Sequence, residues 1–86
     1  MPIDLTERFV RQCSKLPKTI QYKVDKALTL LETDFCHPGL RSHPVESAPG
    51  VFEACVDRKY RMTFEHRADT FIMRNVDNHD ECLRNP

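Results

Sequence analysis

Hydrophobic positions along the chain change their period once, close to residue 50. In the first half they recur at helical spacing. "DLTERFVRQCSKL" puts Leu5, Phe9, Val10 and Cys13 on one helical face, with Asp4 or Thr6 available as N-cap. This helix is expected to stop near Leu16, because the residue before Pro17 is pushed out of the α region by the proline ring. Pro17 then suits the first position of a second helix. In "PKTIQYKVDKALTLLETD", Ile20, Val24, Ala27, Leu28 and Leu31 share one side, while Lys18, Gln21, Asp25, Lys26 and Glu32 take the other. The pattern predicts an amphipathic helix of about 25 Å. The connection is so short that the two helices are expected to pack as a hairpin.

"FCHPGLRSHPVE" carries two prolines and a glycine and reads as an irregular loop. Beyond it the period becomes two. "VFEACVD" alternates Phe52, Ala54 and Val56 against Glu53, Cys55 and Asp57. "YRMTFE" alternates Tyr60, Met62 and Phe64 against Arg61, Thr63 and Glu65, and "TFIMRNV" is apolar on both sides before it admits Arg74 and Asn75. Pro49-Gly50 signals a type II turn, with glycine where φ must be positive. The gaps at 57–60 and 65–69 fit only antiparallel hairpins. The fold class is therefore α+β: an N-terminal helical hairpin on one face of a small twisted antiparallel sheet of three or four strands, then a short C-terminal helix or tail.

Composition narrows the class. A chain of 86 residues with 40% hydrophobic and 30% charged positions is one globular domain, 1–86, with a thin core. A partner that covers part of its surface is a plausible source of stability. Lys+Arg and Asp+Glu both number 13, so a general polyanion binder is disfavoured while a local basic patch is not. "MPIDLTERFV" has no apolar signal core and no run is long enough for a membrane span, so a cytoplasmic protein is expected. The four widely spaced cysteines, Cys13, Cys36, Cys55 and Cys82, then read as reduced thiols.

Few residues are equipped for chemistry. Arg61 sits mid-strand, either as a cross-strand partner of Glu53 or Glu65 or as a guanidinium aimed at a phosphate. Arg58 and Lys59 occupy a hairpin turn, and Arg74 ends the last strand, where it could converge with Arg61 if the register allowed. His37 and His43 lie in the irregular loop and His66 at a hairpin tip. Cys36, His37, His79 and Cys82 lack the spacing of a zinc site, so no metal is expected. In "RNVDNHDE", His79 is an acid/base candidate whose tautomer Asp77 or Asp80 could fix. The same letters also read as a helix start, with Asn78 as N-cap and Asp80 and Glu81 at the positive end of the dipole.

"KLPK" opening the long helix, "VDRKYRMTFE" in the sheet and "FIMRNVDNHDE" at the end together resemble the RelE/ParE superfamily of toxin–antitoxin modules, over nearly the whole chain. The resemblance implies a RelE-like fold with an N-terminal strand, for which only "MPIDL" is available. It implies the toxin of a type II pair, covered by a cognate antitoxin protein. The RelE branch implies a metal-independent, cofactor-free endoribonuclease acting on mRNA at the ribosome, with the RNA 2′-hydroxyl as nucleophile. Arg61 then stabilises the transition state, His79 serves as acid or base, and His43 or Glu46 falls near the family's base position. Arg58, Lys59 and Arg74 would grip phosphates. Asp80 stands where many family nucleases carry a tyrosine. ParE-type gyrase inhibitors and helicase-associated interaction domains, both non-catalytic binders, resemble the chain as well.

Overall fold

A computed structural model of the chain, which describes residues 1–84 and 86 and only the backbone at Leu83, contains five strands and three α-helices. Strand β1 (Ile3–Leu5) leads into α1 (Glu7–Ser14) and α2 (Lys18–Thr33). A 3₁₀ turn (Pro38–Leu40) and the short β2 (His43–Pro44) follow. Then come β3 (Val51–Cys55), β4 (Tyr60–Arg67), β5 (Thr70–Asn78) and α3 (His79–Arg84). The sheet order is β1-β5-β4-β3-β2. Strands β2 to β5 are antiparallel to their neighbours, and β1 lies parallel to β5, pairing Ile3 with Phe71 and Leu5 with Met73. The sheet is thus the expected antiparallel meander with one parallel edge strand added by "MPIDL".

Thr6 decides where strand gives way to helix. Its backbone N–H and its hydroxyl both donate to Met73 O, at 3.3 and 2.8 Å, and its Oγ1 accepts from Phe9 N as the N-cap of α1. Leu5 is therefore extended backbone instead of helix, and is 44% exposed; Val10 is 49% exposed. Of the four residues assigned to that face, Phe9 is fully buried and Cys13 partly so. Gln12 closes the join, accepting from Val76 N at 3.0 Å where β5 runs beyond β1. In α2 the expected stripe holds: Val24, Ala27 and Leu31 are buried and Ile20 and Leu28 pack against the core.

The core lies between this helical layer and one sheet face, made of Ala54, Met62, Phe64, Phe71, Met73 and Val76, with Leu40 closing it from the 3₁₀ turn. Phe35, just past α2, stacks on Phe71 at 5.1 Å and meets Phe52 and Phe64 edge-on at 6.1 Å. The fully buried members, Phe64 and Phe71, each stabilise the fold by about 1.5–3 kcal/mol. The Pro49-Gly50 turn forms as the sequence indicates, with Gly50 at φ 85° and Val51 N donating to Ala48 O at 3.0 Å. The 65–69 connection is tighter than expected: β4 runs to Arg67, so His66 belongs to the strand and its ring lies 5.0 Å from that of Phe71.

The opposite sheet face departs from the simple reading of a solvated surface. Glu53, Thr63 and Asn75 are only 2%, 0% and 1% exposed. Helix α3 folds back over them. Asn78 Oδ1 accepts from Glu81 N at 3.0 Å, so the capping reading of "DNHDE" holds. Asn75 Nδ2 donates to Cys82 O at 3.1 Å, and the Cys82 thiol lies 3.4 Å from Arg61 O. The Pro86 carbonyl accepts from Thr63 Oγ1 and from Arg74 Nε, at 2.9 and 3.0 Å. A register shift between Thr63 and Phe64 makes Arg74 the extra residue of a β-bulge, so Arg74 and Asn75 both serve this face.

The β3–β4 turn is held by Asp57. Its Oδ1 accepts from Lys59 N and Tyr60 N, both at 2.9 Å, and Oδ2 pairs with Lys23 of α2 at 3.3 Å. Partial burial pushes the Asp57 carboxyl up, but the Tyr60 and Lys59 amides and the Lys23 ammonium outweigh it and hold the carboxyl below its ordinary value. Asp57→Ala is expected to lower unfolding free energy by about 1–2 kcal/mol in urea titrations. Asp57→Asn, which keeps the acceptor oxygen, should lose less. The lowered carboxyl stabilises the fold at pH above its ordinary value, and this contribution disappears as pH falls through the folded-state value. Asp57→Asn should remove that part of the acid dependence.

Cys82 yields a second expectation. Burial, followed by the nearby Glu53 carboxylate, pushes its thiol up to about 12. The neutral thiol's advantage is complete below the ordinary thiol value and is lost as pH rises towards the folded-state value. At neutral pH the exposed Cys36 should be the first of the four cysteines to react with an alkylating reagent, and Cys82 the last, with Cys82 modified only on unfolding. Peptide mapping after timed alkylation checks the order.

Candidate functional site

Three side chains from three strands meet at one end of the sheet. Glu53 is central in β3 and points to the α3 side. Register puts Cys55 opposite Arg61 and Glu53 opposite Thr63, so Glu53 and Arg61 are diagonal neighbours on that face. Arg61 Nε lies 3.9 Å from Glu53 Oε1. His43 pairs with Glu53 across the β2–β3 ladder, and its Nε2 lies 3.5 Å from the same oxygen. The cross-strand partner expected for Arg61 is thus Glu53, while Glu65 pairs with Arg74 at 2.8 Å and Arg67 at 3.3 Å.

The local chemistry of each member follows from its second contact. His43 Nδ1 lies 2.7 Å from Arg41 O. A carbonyl can only accept, so Nδ1 carries a hydrogen; Nε2 faces the Glu53 carboxylate, which it meets favourably as an N–H donor. The His43 side chain is 57% exposed, whereas Glu53 is buried, and its Oε2 has no hydrogen-bond partner among the described residues. A buried carboxylate is tolerated only when cations or donors face it, which His43 and Arg61 do. Arg61 NH1 donates to the Asp57 and Tyr60 carbonyls, which fixes the guanidinium against the β3–β4 turn.

Arg61 also lines a cleft of about 800 Å³, together with Pro38, Gly39, Arg41, Cys55, Val56, Asp57 and Arg58. Three guanidinium groups come from three separate segments, against one carboxylate, Asp57, that Lys23 already neutralises. A chain with no net charge therefore carries a locally basic concavity.

The structure sorts the residues singled out by sequence. Arg61 and His43 are brought together through Glu53, and Arg58 lines the cleft beside Arg61. Lys59 is exposed in the same turn; its carbonyl accepts from His79 N at 2.7 Å. His79 therefore begins α3 beside that turn, exposed, with no side-chain hydrogen bond or ion pair among the described residues. Arg61 stands opposite Asp77 in the β4–β5 ladder, not opposite Arg74, and Arg74 is engaged with Glu65 and Pro86. The convergence of Arg74 with Arg61 does not form, because the bulge carries Arg74 to the middle of the face. Glu46 is exposed in the turn after β2 and does not line the cleft. Among the described residues no group of three or more His, Cys, Asp or Glu is placed to hold a metal ion. No helix among them is long and apolar enough to cross a membrane.

Arg41 escapes sequence reasoning, and Glu53 enters it only as a candidate partner of Arg61. Glu53 reads as one polar letter in an alternating strand, with nothing local to announce that α3 buries it. Arg41 follows a proline-glycine pair in a loop, and only the fold brings it into one cleft with Arg58.

No protein-family model matches the chain, and no curated protein does. Solved structures do. YafQ from E. coli strain BL21(DE3) superposes with a TM-score of 0.77 at 15% identity, over 92% of this chain and 93% of that one. RelE in the RelB–RelE antitoxin–toxin complex of Methanococcus jannaschii gives 0.75 at 15% identity, over 91% and 92%. A YoeB/ParE toxin from Agrobacterium tumefaciens gives 0.77 at 8% identity, over 92% and 99%. A sheet of this order with two helices on one face and a short C-terminal helix on the other is the RelE/ParE toxin fold, and this chain has it.

Proposed function

We propose that the chain is the toxin of a toxin–antitoxin pair and cuts RNA, mRNA on the ribosome foremost, without a metal. The observation that carries this reading is the meeting of His43, Glu53 and Arg61, the last of which lines an arginine-rich cleft. RNA cleavage by its own 2′-hydroxyl needs a base, an acid and a cation at the phosphate. His43, with Nδ1 donating to the Arg41 carbonyl, takes the 2′-hydroxyl proton on Nε2 once substrate turns that nitrogen away from the Glu53 carboxylate. The 2′-oxygen forms a bond to the adjacent phosphorus while the bond from phosphorus to the 5′-oxygen breaks. His79, in its protonated form, gives its proton to that leaving oxygen, and the products are a 2′,3′-cyclic phosphate and a 5′-hydroxyl. Arg61 neutralises charge building on the phosphoryl oxygens. Glu53 is a positioning residue that holds the Arg61 guanidinium and, until substrate binds, the His43 imidazole.

A partner fits the same picture. Two of the solved relatives in this fold are toxins held by antitoxins, DinJ with YafQ and RelB with RelE. A cognate antitoxin that covers the cleft with a helix or an extended tail would silence the chain.

The second reading is a non-catalytic binding module of gyrase-inhibiting or helicase-associated type. It is favoured by the self-sufficiency of the polar groups: Arg61 is satisfied within the sheet and Asn78 caps α3.

Expression in bacteria, followed by mapping of RNA 5′ ends, separates the two. Wild type should arrest growth and leave 5′-hydroxyl ends on ribosome-bound mRNA. His79→Ala touches an exposed side chain and should keep the melting temperature while lowering cleavage by about 10²-fold or more. Arg61→Ala should abolish cleavage as well, and also destabilise by about 1–3 kcal/mol, since it leaves Glu53 buried without its guanidinium. Growth arrest with intact mRNA, unchanged by His79→Ala, would overturn the nuclease reading in favour of the binding module.

A further inference from the structure

The two edges of the sheet differ in what they offer to a further strand. At one edge lies β2, only His43–Pro44. Val45 N donates to Val51 O at 2.9 Å, so by antiparallel alternation Pro44 is the residue that faces outward. Proline has no N–H, and this edge is therefore blunted. At the other edge lies β1. Phe71 N donates to Pro2 O at 3.0 Å and Thr6 N to Met73 O at 3.3 Å. The bonded residues of a parallel strand alternate, so Pro2, Asp4 and Thr6 face β5. Ile3 and Leu5 turn their N–H and C=O groups outward, along the open edge.

A groove runs beside that edge. The side chains of Ile3 and Leu5 lie on the helical side of the sheet, where they line about 230 Å³ together with Leu28, Thr29 and Glu32 of α2. Asp4, between them, falls on the opposite sheet face. Asp4 and Glu32 are both exposed, and neither makes an ion pair among the described residues. The edge thus combines unused backbone groups, an apolar floor and two unneutralised carboxylates.

We propose that the β1 edge receives an extended segment of a partner protein, in which two apolar residues flank a lysine or arginine. Backbone bonds to Ile3 and Leu5 extend the sheet by one strand. The apolar pair enters the groove, and the cation between them stands across from Asp4, so alternate side chains supply the selection. Glu32 adds a second attraction for a basic segment. A second copy of this chain fits poorly, because antiparallel pairing of two β1 strands about Asp4 sets one carboxylate directly against the other. The proposal goes beyond the nuclease reading and does not depend on it. Strand β1 is two strands away from β4, which carries Arg61, and its groove shares no residue with the arginine-lined cleft.

The test uses an end-blocked heptapeptide of alternating valine and lysine, labelled with a dye and followed by fluorescence anisotropy. Amide hydrogen exchange of the full chain, read by NMR, locates the bound peptide. The peptide should bind, and the Ile3 and Leu5 amides should gain protection. Exchanging lysine for glutamate in the peptide should weaken binding by about fivefold or more. Asp4→Asn should weaken binding of the lysine peptide by about twofold to fivefold, and adding Glu32→Gln should weaken it further. Glu46→Gln, the same change beside the opposite edge, should leave affinity unaltered. Melting temperatures confirm that each variant is folded, and the change of peptide charge tests the idea on the unaltered chain. Absence of binding, protection away from Ile3 and Leu5, equal binding of the glutamate peptide, or indifference to both carboxylate substitutions overturns the proposal. Protection of Ile3 and Leu5 that grows with protein concentration in the absence of peptide also overturns it, since a second copy then holds the edge.

Discussion

The site depends on the tie between Asp57 and the amides of Lys59 and Tyr60. A turn between two strands sets their register, and a slip of one residue would exchange the two sheet faces. With Asp57 Oδ1 holding both amides, Cys55 falls opposite Arg61 and Glu53 lies on the diagonal from it. The same carboxylate reaches Lys23 through Oδ2, so the turn is also anchored to α2. The part of the cleft built from the β3–β4 turn follows from this one point of attachment. Arg58 is carried in the turn, Arg61 donates to its carbonyl, and His79 begins α3 on the carbonyl of Lys59.

A second constraint is that both faces of a small sheet are covered. The helical hairpin buries Phe64, Phe71, Met62 and Met73 on one side, the ordinary hydrophobic layer. On the other side α3 buries polar groups, Glu53, Thr63 and Asn75, and these need partners. They find them in Arg61, His43, the Pro86 carbonyl and the Cys82 carbonyl. A buried ion pair adds little net stability in comparison with apolar packing, because desolvation offsets its attraction. Its retention beside a basic cleft fits a role in holding functional groups, where geometry matters more than stability.

Net charge was a poor guide to this surface. Thirteen cations and 13 anions cancel over the chain, but pairing is uneven in space. Glu65 is shared by Arg67 and Arg74, Glu81 pairs with Arg84, and Asp57 with Lys23. The Glu65 pairs neutralise the middle and far end of β4, and at the cleft Lys23 takes up Asp57, which leaves Arg41 and Arg58 without an ion pair among the described residues. Coulomb interactions decay over about 8 Å in physiological salt, so an anion in the cleft would feel those two guanidinium groups far more than the molecular total.

The chain's own pattern determined the class of fold. Apolar residues at helical spacing up to Leu31 and at a period of two beyond Val51 allow few arrangements other than helices on a meander. Local chemistry placed the caps and turns: Thr6, Pro49-Gly50 and Asn78 all act where short-range rules put them. The resemblance of "VDRKYRMTFE" and "FIMRNVDNHDE" pointed to the fold family, and to Arg61, His43 and His79 as residues worth attention. Only the tertiary structure decided which of these meet. Whether a polar strand face is solvated depends on what folds over it, and nothing in "VFEACVD" reports that α3 will bury Glu53. The partner of Arg74 depends on a single bulge that no periodicity reveals. Arg41 and Arg58 are 17 positions apart, so their sharing of a cleft is a property of chain path alone. Side-chain period is a local property that sequence records directly, whereas convergence is set by register and crossover, which emerge only when every segment is packed at once.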